Sequence, residues 1–180
     1  MVDNWTGSSA KLEACLELVT EAVAGGHRIL LFSQFTSMLE LLAKRLDEAG
    51  MSHFTLQGST PKPVRAEQVR RFNQGEADVF LISLRAGGTG LNLTAADIVI
   101  HYDPWWNLAA QNQATDRAYR IGQRNPVQVY RLIAQDTIEE KIVELQQAKQ
   151  SLADTVTGGA DGAILSMNPE QLLQLLGEEA

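Results

Sequence analysis

Three polar side chains in the middle of the chain have the spacing and the chemistry of an anion site. Gln113, Arg117 and Arg120 stand at i, i+4 and i+7, on one face of a predicted helix. Residues 111–131 hold four arginines and one acid, a local charge of +3. Guanidinium groups in successive helical turns, beside an amide, are suited to hold a phosphoryl group. The spacing alone also fits an exposed basic helix face without a ligand.

A glycine-rich loop precedes that helix. Gly87-Gly88-Thr89-Gly90 lacks the Gly-Lys-Ser/Thr ending of a Walker phosphate loop and the third glycine of a dinucleotide fingerprint. A tight turn that needs positive φ angles explains these glycines equally well. No Walker lysine occurs in the sequence, so we do not expect this chain to bind ATP alone through the usual phosphate cradle.

Short apolar runs alternate with segments of helical period, which predicts an α/β fold with a parallel sheet. Predicted capping residues begin three helices: the Ser37–Glu40 pair, Thr60, and the Thr137–Glu140 pair. The predicted helices are 9–24, 37–49, 61–73, 107–120 and 137–152, and the predicted strands are 28–33, 53–56, 79–83, 97–102 and 127–133.

The loops that follow parallel strands meet at one edge of a sheet, where such folds bind their ligands. In this chain those loops are 33–36, 57–60, 84–90, 103–107 and 134–136. We expect Phe35 to pack in the core. Trp105 and Trp106 either pack beneath their loop or contact a partner.

Five segments, in order along the chain, resemble the motifs of one family. They are Leu31-Phe32-Ser33-Gln34-Phe35, Gly58-Ser59-Thr60, Arg71-Phe72-Asn73, Ser83 to Leu93, and Gln113 to Arg120 followed by Ile121-Gly122-Gln123. From about Lys11 to Leu152 the chain resembles the carboxyl-terminal RecA-like helicase lobe of Swi/Snf ATP-dependent DNA translocases, in a form similar to bacterial members. Gln57, Leu108 and Tyr119 depart from the usual family residues.

The resemblance implies a RecA-like parallel sheet with helices on both faces and a short C-terminal helical tail. We expect the lobe to span residues 1–152, a linker to span 153–168 and a short helix to span 169–177. Motifs I to III are absent, so we expect this to be one lobe of a longer protein.

The resemblance also implies a division of chemistry between two lobes. The N-terminal lobe would supply the phosphate loop, Mg²⁺ and the general base, and this lobe would supply Arg117 and Arg120 as arginine fingers, with Gln113 beside them. Gly88, Gly90 and Asn92 would couple the state of bound ATP to DNA. The isolated lobe is expected to be inactive.

Double-stranded DNA is the expected partner, with contacts to its backbone rather than its bases. The residues expected to contact it are Ser33, Gln34, Gly58, Ser59, Thr60, Arg85, Thr89 and Trp106. A DNA-bound protein is a further expected partner. Two alternatives remain open: an RNA helicase lobe, or a non-catalytic interaction domain that keeps the fold.

The net charge of −7 by itself argues against a nucleic-acid partner, but the negative charge is not evenly distributed along the chain. Residues 1–135 hold 13 acids and 13 bases, whereas residues 136–180 hold 9 acids and 2 bases. Scattered histidines and the single Cys15 predict neither a metal site nor an internal disulfide. No apolar run is long enough to span a membrane, so we expect a cytoplasmic protein, associated with the nucleoid if bacterial.

Overall fold

The computed structural model describes residues 9–84, 86, 91–105, 108–116 and 126–157. The contacts between residues divide the chain into two compact units, Met1–Gln135 and Asp136–Ala180. None of the helices in the described ranges combines the length and the apolar character that crossing a bilayer requires.

The first unit is built on a sheet of five parallel strands in the order β2-β3-β1-β4-β5. The strands are β1 (Ile29–Ser33), β2 (His53–Leu56), β3 (Val79–Ser83), β4 (Ile98–His101) and β5 (Gln128–Arg131). All residues of β1, β3 and β4 are buried, as expected for a parallel sheet covered on both faces. The predicted parallel α/β sheet is confirmed.

Helices cover both faces of this sheet. They are α1 (Ala10–Ala24), α2 (Thr36–Glu48), α3 (Lys62–Asn73) and α4 (Leu108–Thr115). Because side chains alternate along a strand, Ile29 and Leu31 join the core beneath α1 and α2, whereas Leu30 and Phe32 join the opposite core with Phe72 of α3. Helix α1 buries one apolar stripe against the sheet: Leu12, Cys15, Val19 and Ala22.

The predicted start of α2 is wrong. The helix begins at Thr36, and the residue at its N-cap is Phe35, which makes no side-chain capping bond. The Ser37–Glu40 capping box therefore does not form at this terminus. The predicted end is correct, since the helix closes at Ala49 and Gly50 follows with a φ of 68°.

The second unit contains α5 (Ile138–Thr157), which ends five residues beyond the predicted end at residue 152. Thr137 Oγ1 accepts a hydrogen bond from the Glu139 amide at 3.2 Å. Glu140 reaches back to the Asp136 amide at 2.9 Å, one residue earlier than a standard capping box. Residues 153–157 of the predicted linker are helical, while the predicted helix 169–177 lies outside the described residues. The predicted extent of the lobe, residues 1–152, stays a prediction.

Candidate functional site

The parallel strands bring the loops that follow them to one edge of the sheet. The loops after β1 and β4 are in direct contact there, because β1 and β4 are neighbours, with Phe32 opposite His101. The expectation that functional loops gather at this edge agrees with the strand order.

A buried carboxylate holds the loop after β1. Asp103 Oδ1 accepts a hydrogen bond from the Ser33 hydroxyl at 2.9 Å, and Oδ2 accepts one from the Gln34 amide at 2.8 Å. The Ser33 oxygen accepts a further bond from the Phe35 amide at 3.1 Å. Asp103 and Ser33 are both buried, at 4% and 0% exposure, so water cannot replace these bonds without opening the loop. We call Ser33–Phe35 the β1 loop.

The predicted site residues of the β1 loop differ in accessibility. The hydroxyl of Ser33 is committed to Asp103, whereas Gln34 is partly exposed. The expectation that Phe35 packs in the core is wrong, because its side chain is 56% exposed. Strand β1 ends at Ser33, so Phe35 lies beyond the part of the sheet that the helices cover.

The turn after β2 is held by its own residues. The Thr60 amide donates to the Gln57 carbonyl at 3.0 Å, and the Gln57 amide donates to Thr60 Oγ1 at 3.0 Å. Thr60 therefore does not cap α3 as predicted, and the N-cap position is Pro61. Gly58 and Ser59 are exposed at the tip of the turn, and a β-carbon added at Gly58 would meet no other atom within 4 Å.

The end of the glycine-rich segment is fastened by Asn73, the last residue of α3. Its side-chain amide donates to the Asn92 carbonyl at 2.8 Å and its oxygen accepts from the Ala95 amide at 3.2 Å. The Asn92 side chain is exposed, between the buried Leu91 and Leu93. The other predicted residues of this segment lie outside the described residues: Arg85, Gly88, Thr89 and Gly90.

Helix α4 carries the first residue of the predicted anion site. Gln113 is exposed, and the neighbouring Ala114 is buried at 3% exposure against the sheet. Arg117, Arg120 and Trp106 lie outside the described residues, so the arrangement of the three polar side chains stays a prediction.

Two partly buried contacts attach α4 to the end of β4. Gln111 Oε1 accepts a bond from the Trp105 amide at 3.2 Å, and His101 Nε2 lies 2.9 Å from Thr115 Oγ1. The Thr115 hydroxyl also lies within hydrogen-bond distance of the Gln111 carbonyl, at 3.3 Å. Both Gln111 and His101 are 1% exposed.

His101 is held in its neutral form. Burial lowers its pKa to about 4, and the charge of Arg131 on the adjacent strand contributes. Its ring stacks on Phe32 with centroids 5.5 Å apart. The neutral imidazole therefore links the sheet to α4 through Thr115.

Sequence reasoning missed the residues that hold this edge together. Asp103, Asn73, His101 and Thr115 were not among the predicted site residues. A polar residue at or just beyond the end of a buried strand is a usable signal for His101 and Asp103, because such a side chain needs a partner. Periodicity gives no comparable signal for Asn73 or Thr115.

Comparison with known proteins places this geometry in a family. Residues 10–122 match the model of the helicase conserved C-terminal domain. A putative ATP-dependent helicase/translocase, YwqA of Bacillus subtilis, is 44% identical over 170 residues, which are 94% of this chain and 18% of the relative. The chromatin-remodelling ATPase INO80 of Aspergillus terreus is 47% identical over 161 residues, 88% of this chain and 9% of the relative.

The fold has a solved counterpart as well. The crystal structure of the C-terminal part of the Fun30 ATPase domain superposes with a TM-score of 0.74 at 35% identity, and the match covers 81% of this chain and 47% of that one. An uncharacterised ATP-dependent helicase of Mycoplasma pneumoniae is 43% identical over 93% of this chain, which covers 16% of that relative. The chain thus spans less than a fifth of the curated relatives named here. It belongs to the helicase conserved C-terminal domain family and has the RecA-like fold of the carboxyl-terminal lobe of Swi/Snf-type helicases.

Proposed function

We propose that this chain is the second motor lobe of a DNA-dependent ATPase that translocates on duplex DNA. The observation that carries the proposal is the parallel sheet edge where the β1 loop, held by Asp103, lies beside the attachment of α4. Relatives named as ATP-dependent helicases and as a helicase/translocase support the use of ATP. ATP would lie between this lobe and an N-terminal lobe that holds its Mg²⁺.

Arg117 and Arg120 act on the γ-phosphoryl group in this proposal, with Gln113 beside them. An arginine finger neutralises charge that develops in the transition state and is worth about 10³- to 10⁵-fold in rate. The proposal is supported by the exposure of Gln113 and by the burial of Ala114, which together orient α4 with its polar face outward. Gly88, Gly90 and Asn92 relay the nucleotide state to DNA.

The proposed DNA contacts come from uncharged groups and one cation, Arg85, along the same edge. The contributing groups are the Gln34 side-chain amide, the Ser59 and Thr60 hydroxyls and the Gly58 backbone amide, which bind phosphates without reading sequence. Arg85, Thr89 and Trp106 complete the proposed set. We assign Ser33 a supporting role, because its hydroxyl is buried and bonded to Asp103.

The arginine assignment is tested in a protein that contains both lobes. Arg120→Ala and Arg117→Ala each abolish DNA-stimulated ATP hydrolysis, while the Kd for duplex DNA changes less than about threefold. Arg124→Ala is the matched control, because it removes an equal charge from the same segment. Hydrolysis that survives in both finger variants sinks the assignment.

A second measurement tests the division of labour. The isolated chain hydrolyses no ATP above background and binds duplex DNA weakly, since residues 1–135 carry no net positive charge. Turnover by the purified chain alone contradicts the two-lobe proposal. Stimulation of the two-lobe protein by RNA rather than by duplex DNA identifies an RNA helicase instead.

A further inference from the structure

The end of strand β4 contacts both of the segments to which the proposed function gives a role. On one side, the Asp103 carboxylate binds the Ser33 hydroxyl and the Gln34 amide. On the other side, the Trp105 amide and the His101 ring bind Gln111 and Thr115 of α4. Only one residue separates His101 from Asp103, and one separates Asp103 from Trp105.

Burial makes these contacts stiff. Asp103, His101 and Gln111 are all at most 4% exposed. The bond from Ser33 to Asp103 is fully buried, and those to Gln34, Trp105 and Thr115 are partly buried. A buried polar group that loses its partner costs about 1–3 kcal/mol. A displacement of the β1 loop therefore moves Asp103 rather than breaking its bonds, and a displaced Asp103 shifts the anchors of α4.

We propose that residues 101–105 form a bridge that couples the β1 loop to α4, with Asp103 as its positioning residue. This inference rests on the proposed function, because it joins the DNA contact at Gln34 to the helix that carries Gln113. Binding of DNA at the β1 loop thereby stabilises the placement of α4 in which hydrolysis is fast. The bridge adds no catalytic group, since neither Asp103 nor His101 is exposed to a substrate.

The chain provides a matched control at the opposite edge of the sheet. Asp97 precedes β4 and accepts hydrogen bonds from the Arg28 amide at 3.2 Å and from His27 Nδ1 at 2.8 Å. Like Asp103, Asp97 bonds to residues about 70 positions earlier and connects β1 to β4. It does so at the amino ends of the two strands. Asp97→Asn therefore makes the same chemical change away from the proposed DNA edge.

The test measures ATP hydrolysis by the two-lobe protein over a range of duplex DNA concentrations. Asp103→Asn keeps an acceptor for the Ser33 hydroxyl but turns an amide group towards the Gln34 N–H. We expect the ratio of the DNA-saturated rate to the basal rate to fall at least about fivefold. Asp97→Asn leaves this ratio within about 1.5-fold of wild type.

Thr115 tests the other half of the bridge and does not depend on whether the Asp103 variant folds. Thr115→Val, which removes the His101 contact, lowers the same ratio, and Thr115→Ser, which keeps the hydroxyl, restores it. The double variant of Asp103→Asn and Thr115→Val is no worse than the more severe single variant, because both break one bridge.

The outcomes separate the two proposals. A wild-type protein that DNA does not stimulate sinks the proposed function, and the bridge with it. If DNA stimulates the wild type, three results overturn the bridge alone. The first is an unchanged ratio of DNA-saturated to basal rate in both Asp103→Asn and Thr115→Val, and the second is effects that multiply in the double variant. The third is a fall of this ratio in Asp97→Asn as large as in Asp103→Asn. A change confined to the DNA concentration for half-maximal stimulation also overturns it, since that result leaves Asp103 with a local role.

Discussion

Strands β1 and β4 are clamped at both ends by an aspartate, and the two clamps differ in their surroundings. At the amino end, Asp97 is 13% exposed and its partner His27 is 43% exposed. At the carboxyl end, Asp103 is 4% exposed and its partner Ser33 is fully buried. Two clamps with similar bonds therefore have unequal access to water, and only the protected one lies at the edge with the functional loops.

This difference in burial predicts that the two clamps contribute unequally to the free energy of unfolding. When a solvent-accessible clamp is removed, water replaces its hydrogen bonds, so the free energy of unfolding falls only a little. A buried clamp leaves its partners unsatisfied when it is removed. The next four predictions measure this contrast on the isolated chain, by unfolding in urea.

Asp103→Ala gives the largest loss. The buried Ser33 hydroxyl and the partly buried Gln34 amide lose their acceptor, which lowers the free energy of unfolding by about 2–4 kcal/mol. The companion variant Ser33→Ala removes one of those donors and costs less than Asp103→Ala. Equal losses for the two variants contradict the account.

Acid weakens the carboxyl end of β4 through His101. The pKa is lowered to about 4 in the folded chain from an ordinary value of 6.5, so the unfolded chain binds the proton more readily between these values. Above pH 6.5 His101 does not lower the free energy of unfolding. As the pH falls from 6.5 through 4, that free energy decreases by up to about 3 kcal/mol. His101→Phe keeps a ring beside Phe32 and removes the titration; an identical pH profile in this variant places the effect elsewhere.

Asp97→Ala has a smaller effect than Asp103→Ala. Its acceptor oxygens serve the Arg28 amide and His27 in a partly hydrated setting, so we expect a loss of about 1 kcal/mol in the free energy of unfolding. A loss as large as that of Asp103→Ala shows that burial does not distinguish the two clamps.

His27→Ala has the smallest effect, below about 0.5 kcal/mol, because its ring is 43% exposed and water replaces it beside Asp97. The same measurement in Asp97→Ala gives the control: His27→Ala in that background changes nothing further. An additional loss there means that the histidine stabilises the fold by a contact other than Asp97.

The sheet was predictable because its information is local. Runs such as Ile29–Phe32 are apolar on both faces, and the helices between them follow the 3.6-residue period. Two motif segments, Leu31–Phe35 and Gly58–Thr60, then fell at the end of β1 and after β2, as a parallel sheet requires. Family resemblance supplied the order of those loops and a role for each.

The contacts that hold the site were not predictable in this way. Asp103 binds a residue 70 positions earlier, and periodicity carries no information about such a pair. Phe35 was assigned to the core by its residue type, but the end of β1 sets it outside. Thr60 was assigned to a helix cap, and the competing bond with Gln57 in its own turn prevailed.

The position of β1 in the middle of the sheet has a consequence for synthesis of the chain. Its two neighbours, β3 and β4, are both made later, and the carboxylate that fixes Ser33 follows it by 70 residues. At about 5–20 residues per second, roughly 4 to 14 s separate the two on a ribosome. The β1 loop is therefore among the last parts of the sheet edge to acquire its native bonds, although its residues are among the first to emerge.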